Sequence, residues 1–130
     1  MNALPIFFLA IFTLLGVHSE TFAEYPCDPL IPNKQRPEPS DCIAALSSYD
    51  KYGKGSIIHS NSHNQKTCYT CQIEVASYGK TIDVDYAKAR IELDRFLQRC
   101  TYRTGSFDVR SYGKTPARFT IDYGTSGHAC

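Results

Sequence analysis

Six cysteines constrain the fold of this 130-residue chain more than any other feature of its sequence. All of them lie downstream of one apolar N-terminal run, at positions Cys27, Cys42, Cys68, Cys71, Cys100 and Cys130. An even number of cysteines behind an export signal is typical of a small domain with disulfides formed in an oxidising compartment. The sequence therefore predicts three disulfides, which reinforce the core that a chain of this length can form.

The apolar N-terminal run, residues 4–17, predicts a signal peptide. An uncharged apolar stretch of about fourteen residues fits the core of such a peptide, whereas a membrane-spanning helix needs about twenty. The positively charged residue that usually precedes the core is missing. We expect residues 1–19 to be removed, with cleavage as late as residue 23 as the alternative. Residues 24–130 then form one secreted domain without a membrane span.

The overall charge argues against nucleic acid or a membrane surface as the partner. Lys and Arg number 14 against 13 Asp and Glu, which gives a formal net charge of +1. A nucleic-acid-binding domain is normally much more basic. Tyrosine is abundant, with nine residues, and tryptophan is absent. Tyrosines are favoured at protein recognition surfaces, but they also edge small α+β cores, and both interpretations remain open.

Apolar periodicity predicts two helices. The first is expected to start at Ser40, which suits an N-cap, and to end at or just before Gly53. The second is expected to be capped by Asp83 or Asp85 and to run to about Cys100. Apolar residues recur at helical spacing in both segments, so each helix has one face to bury.

Alternation of apolar and polar residues predicts four strands, at residues 56–60, 68–78, 106–110 and 117–123. The polar stretch 61–67 is predicted to be a loop. The element order is helix, strand, strand, helix, strand, strand. The predicted fold is α+β: a two-layer sandwich of a four-stranded antiparallel sheet with two helices on one face, stapled by disulfides.

Three copies of Tyr-Gly-Lys occur, at residues 52–54, 78–80 and 112–114. An up-and-down chain path places all three at the end of the sandwich opposite the cysteines. Glycine is explained by turns that need a positive φ, but no turn requires Tyr or Lys. One interpretation is a basic, tyrosine-rich surface that binds a partner through Tyr52, Lys54, Tyr78, Lys80, Tyr112 and Lys114. The alternative is that the tyrosines pack the turns and the lysines are only solvated.

The Cys68-x-x-Cys71 motif does not predict a redox centre. Reactive pairs of this kind lie at a helix N-terminus, which lowers the thiol pKa, whereas this pair opens a strand. We expect structural disulfides to other cysteines, with Cys71 bonded to Cys42 or Cys100. The spacing of His59, His63 and the two cysteines resembles a zinc site, but oxidised cysteines cannot serve as thiolate ligands.

No catalytic motif occurs in the sequence, and we expect no enzymatic activity, no cofactor and no metal site. A ribonuclease would need two histidines, or a histidine and a glutamate, converging on one cleft. Glu74 lies on the polar face of the main predicted strand, and His59 is the residue expected to neighbour it across the sheet. Nothing in the sequence places that pair in a cleft.

The chain resembles small secreted effectors of plant-pathogenic fungi, and within them the "Secreted in Xylem" protein five type. The resemblance covers the proline-rich start at 25–27, a helix opened by Asp41 and Cys42, the 68–71 motif on a strand, and Cys100 and Cys130. It implies a fold like the α/β sandwich of smut-fungus viral killer toxins. It also implies a non-catalytic protein that acts in the host beside a second secreted effector and that a host resistance protein recognises.

The expected function is therefore that of a virulence or avirulence effector. It is secreted, binds a co-secreted effector and a host protein, and acts in the host apoplast or inside host cells. One alternative is a killer-toxin-like antimicrobial or cytotoxic protein. Another is a divergent secreted ribonuclease, since the start at 25–27 is also similar to the Tyr-x-Cys start of powdery-mildew ribonuclease-like effectors.

Overall fold

The computed structural model describes residues 26–125 and 129–130. The predicted signal peptide and both cleavage positions lie outside the described residues. The elements follow the chain in the order α1 (Pro39–Ser47), β1 (Lys51–Tyr52), β2 (Ser56–His59), β3 (His63–Cys68), β4 (Cys71–Ser77), β5 (Ile82–Asp85), α2 (Tyr86–Arg99), β6 (Gly105–Val109) and β7 (Ala117–Tyr123).

A four-stranded antiparallel sheet, in the order β3-β4-β7-β6, forms one layer. In β4 the buried Ile73 and Val75 alternate with partly exposed polar residues, so one face of the sheet is apolar. Val75 pairs with Phe119, which in turn pairs with Phe107, and residues paired across strands share a face. The sheet therefore has one apolar face that must be covered.

Both helices pack on that apolar face. Helix α1 is bonded to β4 through the Cys42–Cys71 disulfide. Helix α2 places Phe96 against Phe107, with ring centroids 5.5 Å apart, and Phe107 stacks on Phe119 at 5.4 Å. The prediction of an α+β fold with two helices and a four-stranded antiparallel sheet is confirmed. No helix of the described ranges is long and apolar enough to cross a membrane.

A second sheet, with three antiparallel strands in the order β1-β2-β5, was not predicted. The predicted strand 56–60 forms β2, but it belongs to this sheet and not to the four-stranded one. Strand β5 was missed because it is four residues long and runs directly into α2. Its Ile82 and Val84 are buried, and β2 contributes the buried Ile57, so the small sheet extends the core.

The polar stretch predicted to be a loop is strand β3, and this prediction was wrong. Strand β3 is an edge of the four-stranded sheet and pairs with β4 from His63↔Ala76 to Cys68↔Cys71. An edge strand exposes much of its surface to water, so polar side chains are tolerated on it. The predicted strand 68–78 is consequently interrupted at its start by a tight turn at Tyr69, where φ is 46°.

The starts of both helices have identifiable local causes. Helix α1 begins at Pro39 and not after Ser40, since proline suits the first helical turn, and its N-cap is Glu38. It ends at Ser47, well before Gly53, which lies in the turn between β1 and β2. Helix α2 is capped by Asp85, one of the two expected residues.

The six cysteines form three disulfides: Cys27–Cys100, Cys42–Cys71 and Cys68–Cys130. The pairing of Cys71 with Cys42 is one of the two that the sequence left open. The cysteines of the Cys68-x-x-Cys71 motif are not bonded to each other. All six sulfurs are committed to disulfides, so none is available as a thiolate for a metal or for redox exchange.

Candidate contact surface at the Tyr-Gly-Lys end

The three Tyr-Gly-Lys turns lie at the same end of the molecule, which we call the Tyr-Gly-Lys end (residues 52–54, 78–80 and 112–114). The loop after β6 carries the third turn and contacts the chain beside the first and second turns. The Lys114 Nζ atom lies 3.0 Å from the Ser56 Oγ, beside the first turn. A Cβ added to Gly79, in the second turn, would lie 3.3 Å from the Thr115 side chain.

The Tyr-Gly-Lys end is opposite the disulfides. Strand β4 starts at the bonded Cys71 and ends at Ser77, directly before Tyr78. Seven residues of strand span about 20 Å, so disulfides and repeats are separated by the length of the sheet. The three disulfides therefore stabilise one end of the sheet, and the three repeats lie at the other end.

The three repeat tyrosines are exposed. The exposed fraction is 52% for Tyr52, 61% for Tyr78 and 100% for Tyr112. Tyr78 retains contacts, because its hydroxyl donates to the Asp108 Oδ1 at 3.3 Å and Arg118 lies 5.9 Å from its ring centre. Tyr112 packs against none of the residues that the structure describes, so the view that these tyrosines serve to pack their turns does not hold for it.

The three repeat lysines are not equivalent. Lys114 is a structural residue, since its Nζ lies 2.7 Å from the Asp83 Oδ1 in addition to its bond to Ser56. Lys54 and Lys80 are exposed, and neither takes part in the ion pairs of the described ranges. Of the three repeat lysines, Lys54 and Lys80 are therefore the two whose charge is available to a partner.

The repeat glycines also differ from one another. Gly53 and Gly113 have φ values of 56° and 71°, as expected for turns that need a positive φ, which glycine adopts more readily than other residues. Gly79 does not have a positive φ, so the backbone explanation is wrong for this copy. A Cβ at this position would be tightly placed, 3.3 Å from the Thr115 side chain, which would have to shift by a few tenths of an ångström.

Exposed tyrosine is not confined to the Tyr-Gly-Lys end. Tyr69 and Tyr102 are exposed at the disulfide end, and both adopt a positive φ, at 46° and 57°. Neither was predicted to be a contact residue. They provide an internal comparison for any test of the repeat tyrosines, because they have the same side chain in a different place.

The histidine that neighbours Glu74 is His63 and not His59. The His63 Nε2 lies 3.0 Å from the Glu74 Oε1 on the polar outer face of the four-stranded sheet. His59 lies in the other sheet, opposite Ile82. His63 was not predicted as this neighbour because strand β3 was predicted to be a loop, and a loop residue has no cross-strand neighbour.

Arg118 shares the outer face with this pair. Strand register aligns His63, Ala76 and Arg118 across three strands. A hydrogen bond from the Arg118 Nε to the Asp108 Oδ1, at 3.1 Å, raises the pKa of the guanidinium, and the charge of Asp108 acts in the same direction. The outer face thus combines an imidazole, a carboxylate and a permanent cation.

Within the described parts of the chain, no group of three or more His, Cys, Asp or Glu side chains could hold a metal ion. The chain was also compared with models of protein families, with curated protein sequences and with solved structures. None of these matches it. Function is therefore inferred below from the chain's own residues and from the resemblance noted above.

Proposed function

We propose that this chain is a secreted, non-catalytic binding protein that contacts a protein partner through the Tyr-Gly-Lys end. The observation that carries the proposal is Tyr112, a fully exposed aromatic side chain in a turn tied to its surroundings. Large rigid side chains of this kind supply much of the binding energy at protein interfaces. The exposed Tyr52 and Tyr78, with Lys54 and Lys80 beside them, extend the same surface.

The anchoring of the Tyr112 turn supports the proposal. Lys114 binds Asp83 and Ser56, and the Ser111 Oγ accepts a hydrogen bond from the Asp85 N–H at 3.2 Å. These bonds flank Tyr112 on both sides and hold its turn against the small sheet. A pre-ordered contact residue loses less conformational entropy on binding than a residue in a loose loop.

The resemblance to fungal effectors supports a specific biological setting for this binding. In that setting the chain is a virulence or avirulence effector with a killer-toxin-like fold, and its partners are a co-secreted effector and a host protein. Three disulfides are compatible with an extracellular protein. The setting predicts that the purified protein neither inhibits microbial growth, as a killer toxin would, nor degrades RNA.

The test is replacement of Tyr52, Tyr78 and Tyr112 together by Ala. Host-tissue proteins captured by the immobilised wild-type chain are quantified by mass spectrometry and compared with those captured by the variant. We expect the variant to retain about a tenth or less of the specific partner. The matched control replaces Tyr69 and Tyr102 by Asn, which tolerates a positive φ, and should bind normally.

Circular dichroism and thermal unfolding must show that both tyrosine variants remain folded. Equal capture by the wild type and the triple variant would contradict the proposed contact surface. Equal losses in the triple variant and in the Asn control would also contradict it, because binding would then not depend on which end carries the tyrosines.

The His63–Glu74 pair supports a second candidate function, that of a divergent secreted ribonuclease. An imidazole and a carboxylate 3.0 Å apart are groups that act as general acid and base. Arg118 on the same face would attract a phosphate group. The pair lies on an open face, with 55% of the His63 side chain exposed, whereas acid–base catalysis normally uses a more enclosed site.

An RNA-degradation assay tests this second candidate. If the chain is a ribonuclease, the wild type degrades RNA, His63→Ala abolishes the activity and His59→Ala leaves it unchanged. Absence of degradation by the wild type rules the candidate out, and so does activity that survives in His63→Ala.

A further inference from the structure

A groove of about 720 Å³ runs between α2 and β6, and we call it the β6 groove. Its α2 wall consists of Lys88, Ile91, Glu92 and Arg95, which recur at helical spacing and so lie along one stripe of the helix. Its other wall is formed by residues 106–109 of β6 and by Arg110, and Pro26 of the N-terminal segment and Arg118 of β7 complete the lining.

Strand β6 is an edge strand of the four-stranded sheet. The described N-terminal segment pairs with it at the Cys27–Gly105 bridge, where the Asp28 N–H donates to the Thr104 carbonyl at 2.8 Å. Beyond that bridge, no other strand of the described ranges covers this edge. An edge strand can accept a further strand through backbone hydrogen bonds.

The groove is basic. Four of its lining residues are Lys or Arg and two are Glu or Asp. Both acidic residues are already neutralised inside the groove, because Glu92 binds Arg95 at 2.7 Å and Asp108 binds Arg118 at 3.1 Å. Lys88 and Arg110 lie together, since the Lys88 Nζ donates to the Arg110 carbonyl at 3.2 Å. A positive excess therefore remains in a chain whose formal net charge is only +1.

The groove also offers an apolar contact. Ile91 is half exposed on α2, whereas Phe107 and Val109 in the opposite wall are almost completely buried. An added strand alternates its side chains between the two faces of the sheet. Apolar side chains on one face would meet Ile91, while acidic side chains on the other would approach Arg110.

We propose that the β6 groove binds an extended, acidic segment of a protein partner, which adds to the sheet as a fifth strand beside β6. This inference rests on the proposed function, that the chain is a protein-binding module, and names the chemistry of its partner. Tyr112 follows the end of β6 by three residues. A partner seated in the groove therefore reaches the Tyr-Gly-Lys end without a gap.

A labelled synthetic peptide tests the groove directly. The probe has about eight residues, within the usual range of strand lengths, with Glu and Val alternating. Its binding to the secreted protein is measured by fluorescence anisotropy. We expect saturable binding that weakens as salt is added, and at least about tenfold weaker binding of a peptide with Lys in place of Glu.

Backbone pairing is tested with the same acidic peptide carrying N-methyl groups on alternate amides. If the peptide adds as a strand, methylation on the edge-facing amides removes hydrogen bonds and weakens binding about tenfold or more. Equal binding of the methylated and unmethylated peptides would overturn the strand proposal, because charge alone would then explain the affinity.

The location is tested with Lys88→Glu combined with Arg110→Glu. The matched control, Arg36→Glu with Arg103→Glu, makes the same charge change at exposed residues outside the groove. We expect about a tenfold loss of peptide binding in the groove variant and less than about twofold in the control. Equal losses in both would overturn the assignment of the site to the groove.

The Tyr52, Tyr78 and Tyr112 triple variant separates this inference from the proposed function. It should bind the peptide normally while losing the host partner. Absence of peptide binding by the wild-type chain, with partner capture still dependent on the tyrosines, would overturn the groove inference and leave the Tyr-Gly-Lys end intact. The two predicted cleavage positions give a further test. Peptide binding by the form that starts at residue 24, but not by the form that starts at residue 20, would also overturn the inference, because residues 20–23 would then compete with the peptide for the groove.

Discussion

Tyr49 is a polar residue in the core of this protein, and its hydroxyl group connects three elements. It follows α1 and is almost completely buried. Its hydroxyl donates to the Ile73 carbonyl of β4 at 2.9 Å and lies 3.1 Å from the Asn64 carbonyl of β3. Burial raises the pKa of the hydroxyl well above its ordinary value, and the negative charge of Glu74 raises it further. The hydroxyl therefore stays protonated and remains a donor.

Replacement of Tyr49 by Phe should lower the free energy of unfolding by about 1 kcal/mol, because it removes a buried donor without changing the ring. Chemical denaturation at neutral pH measures the change. The control is Tyr112→Phe, which removes a hydroxyl from a fully exposed ring and should change stability by less than about 0.5 kcal/mol. Equal effects of the two substitutions would contradict the role given to the Tyr49 hydroxyl.

The same hydroxyl makes stability sensitive to alkali. Because the folded-state pKa is raised, unfolded Tyr49 releases its proton near pH 10 while folded Tyr49 keeps it. The stabilisation is fully present below about pH 10 and decreases as the pH rises further. We expect the free energy of unfolding to fall more steeply above pH 10 in the wild type than in Tyr49→Phe. Parallel pH profiles for the two proteins would contradict this expectation.

Other single residues have roles that spacing along the chain does not reveal. Asp41 lies in the first turn of α1, and its carboxylate accepts a hydrogen bond from the Thr70 hydroxyl at 2.6 Å. Lys114, which the sequence predicts to be a contact residue, also forms an ion pair with Asp83. In both cases the bonding partner is about thirty positions away, and only the folded chain brings the two together.

At the scale of elements, Asp85 joins the small sheet to α2. It ends β5, where it pairs with Ser56, and its carboxylate accepts hydrogen bonds from the Ala87 and Lys88 amides at the start of the helix. Its own N–H donates to Ser111. One residue thus ends a strand, caps a helix and holds the loop that carries Tyr112.

Replacement of Asp85 by Ala should lower the free energy of unfolding by about 1 kcal/mol, the usual value of an N-cap side chain. Thermal or chemical unfolding measures it. The control is Asp94→Ala, which removes a partly exposed i,i+4 ion pair with Arg90 and should cost only about 0.3–0.5 kcal/mol. A smaller effect at Asp85 than at Asp94 would show that the cap contributes little.

Elements with a clear apolar period were predictable from sequence. Strand β7 occupies the predicted residues 117–123, and α2 follows its predicted cap. Strands β3 and β5 were missed for different reasons. Strand β3 is polar because it is an edge, so its pairing depends on backbone bonds to β4. Strand β5 alternates correctly but is too short to be separated from the helix that follows it.

At the scale of the whole molecule, the disulfides connect parts of the chain that are distant in sequence. Cys42–Cys71 joins α1 to the sheet, and its two cysteines are completely buried. Cys27–Cys100 ties the N-terminal segment to the end of α2, across a sequence separation of 73 residues. These links hold both layers at one end, which leaves the other end of the sheet to carry contact residues.

Replacement of Cys42 and Cys71 by Ala should lower the free energy of unfolding by about 3–4 kcal/mol. The bridge closes a loop with a separation of 29 residues, and its loss enlarges the conformational freedom of the unfolded chain. Denaturant unfolding of the oxidised variant measures the change. A loss below about 1 kcal/mol would mean that the packing of α1 on the sheet does not depend on this bond.

Local sequence pattern was sufficient to establish the α+β class, both helices and the central strands. It also predicted that the six cysteines form three disulfides. Each of these depends on which residues are apolar and how they repeat, because burial of one face follows directly from that repeat. Folding in three dimensions was needed to place β2 in a second sheet, to pair His63 with Glu74, to commit Lys114 to Asp83 and to create the β6 groove. These features are contacts between distant segments, and the free energy that selects one partner over another comes from packing that no local repeat encodes.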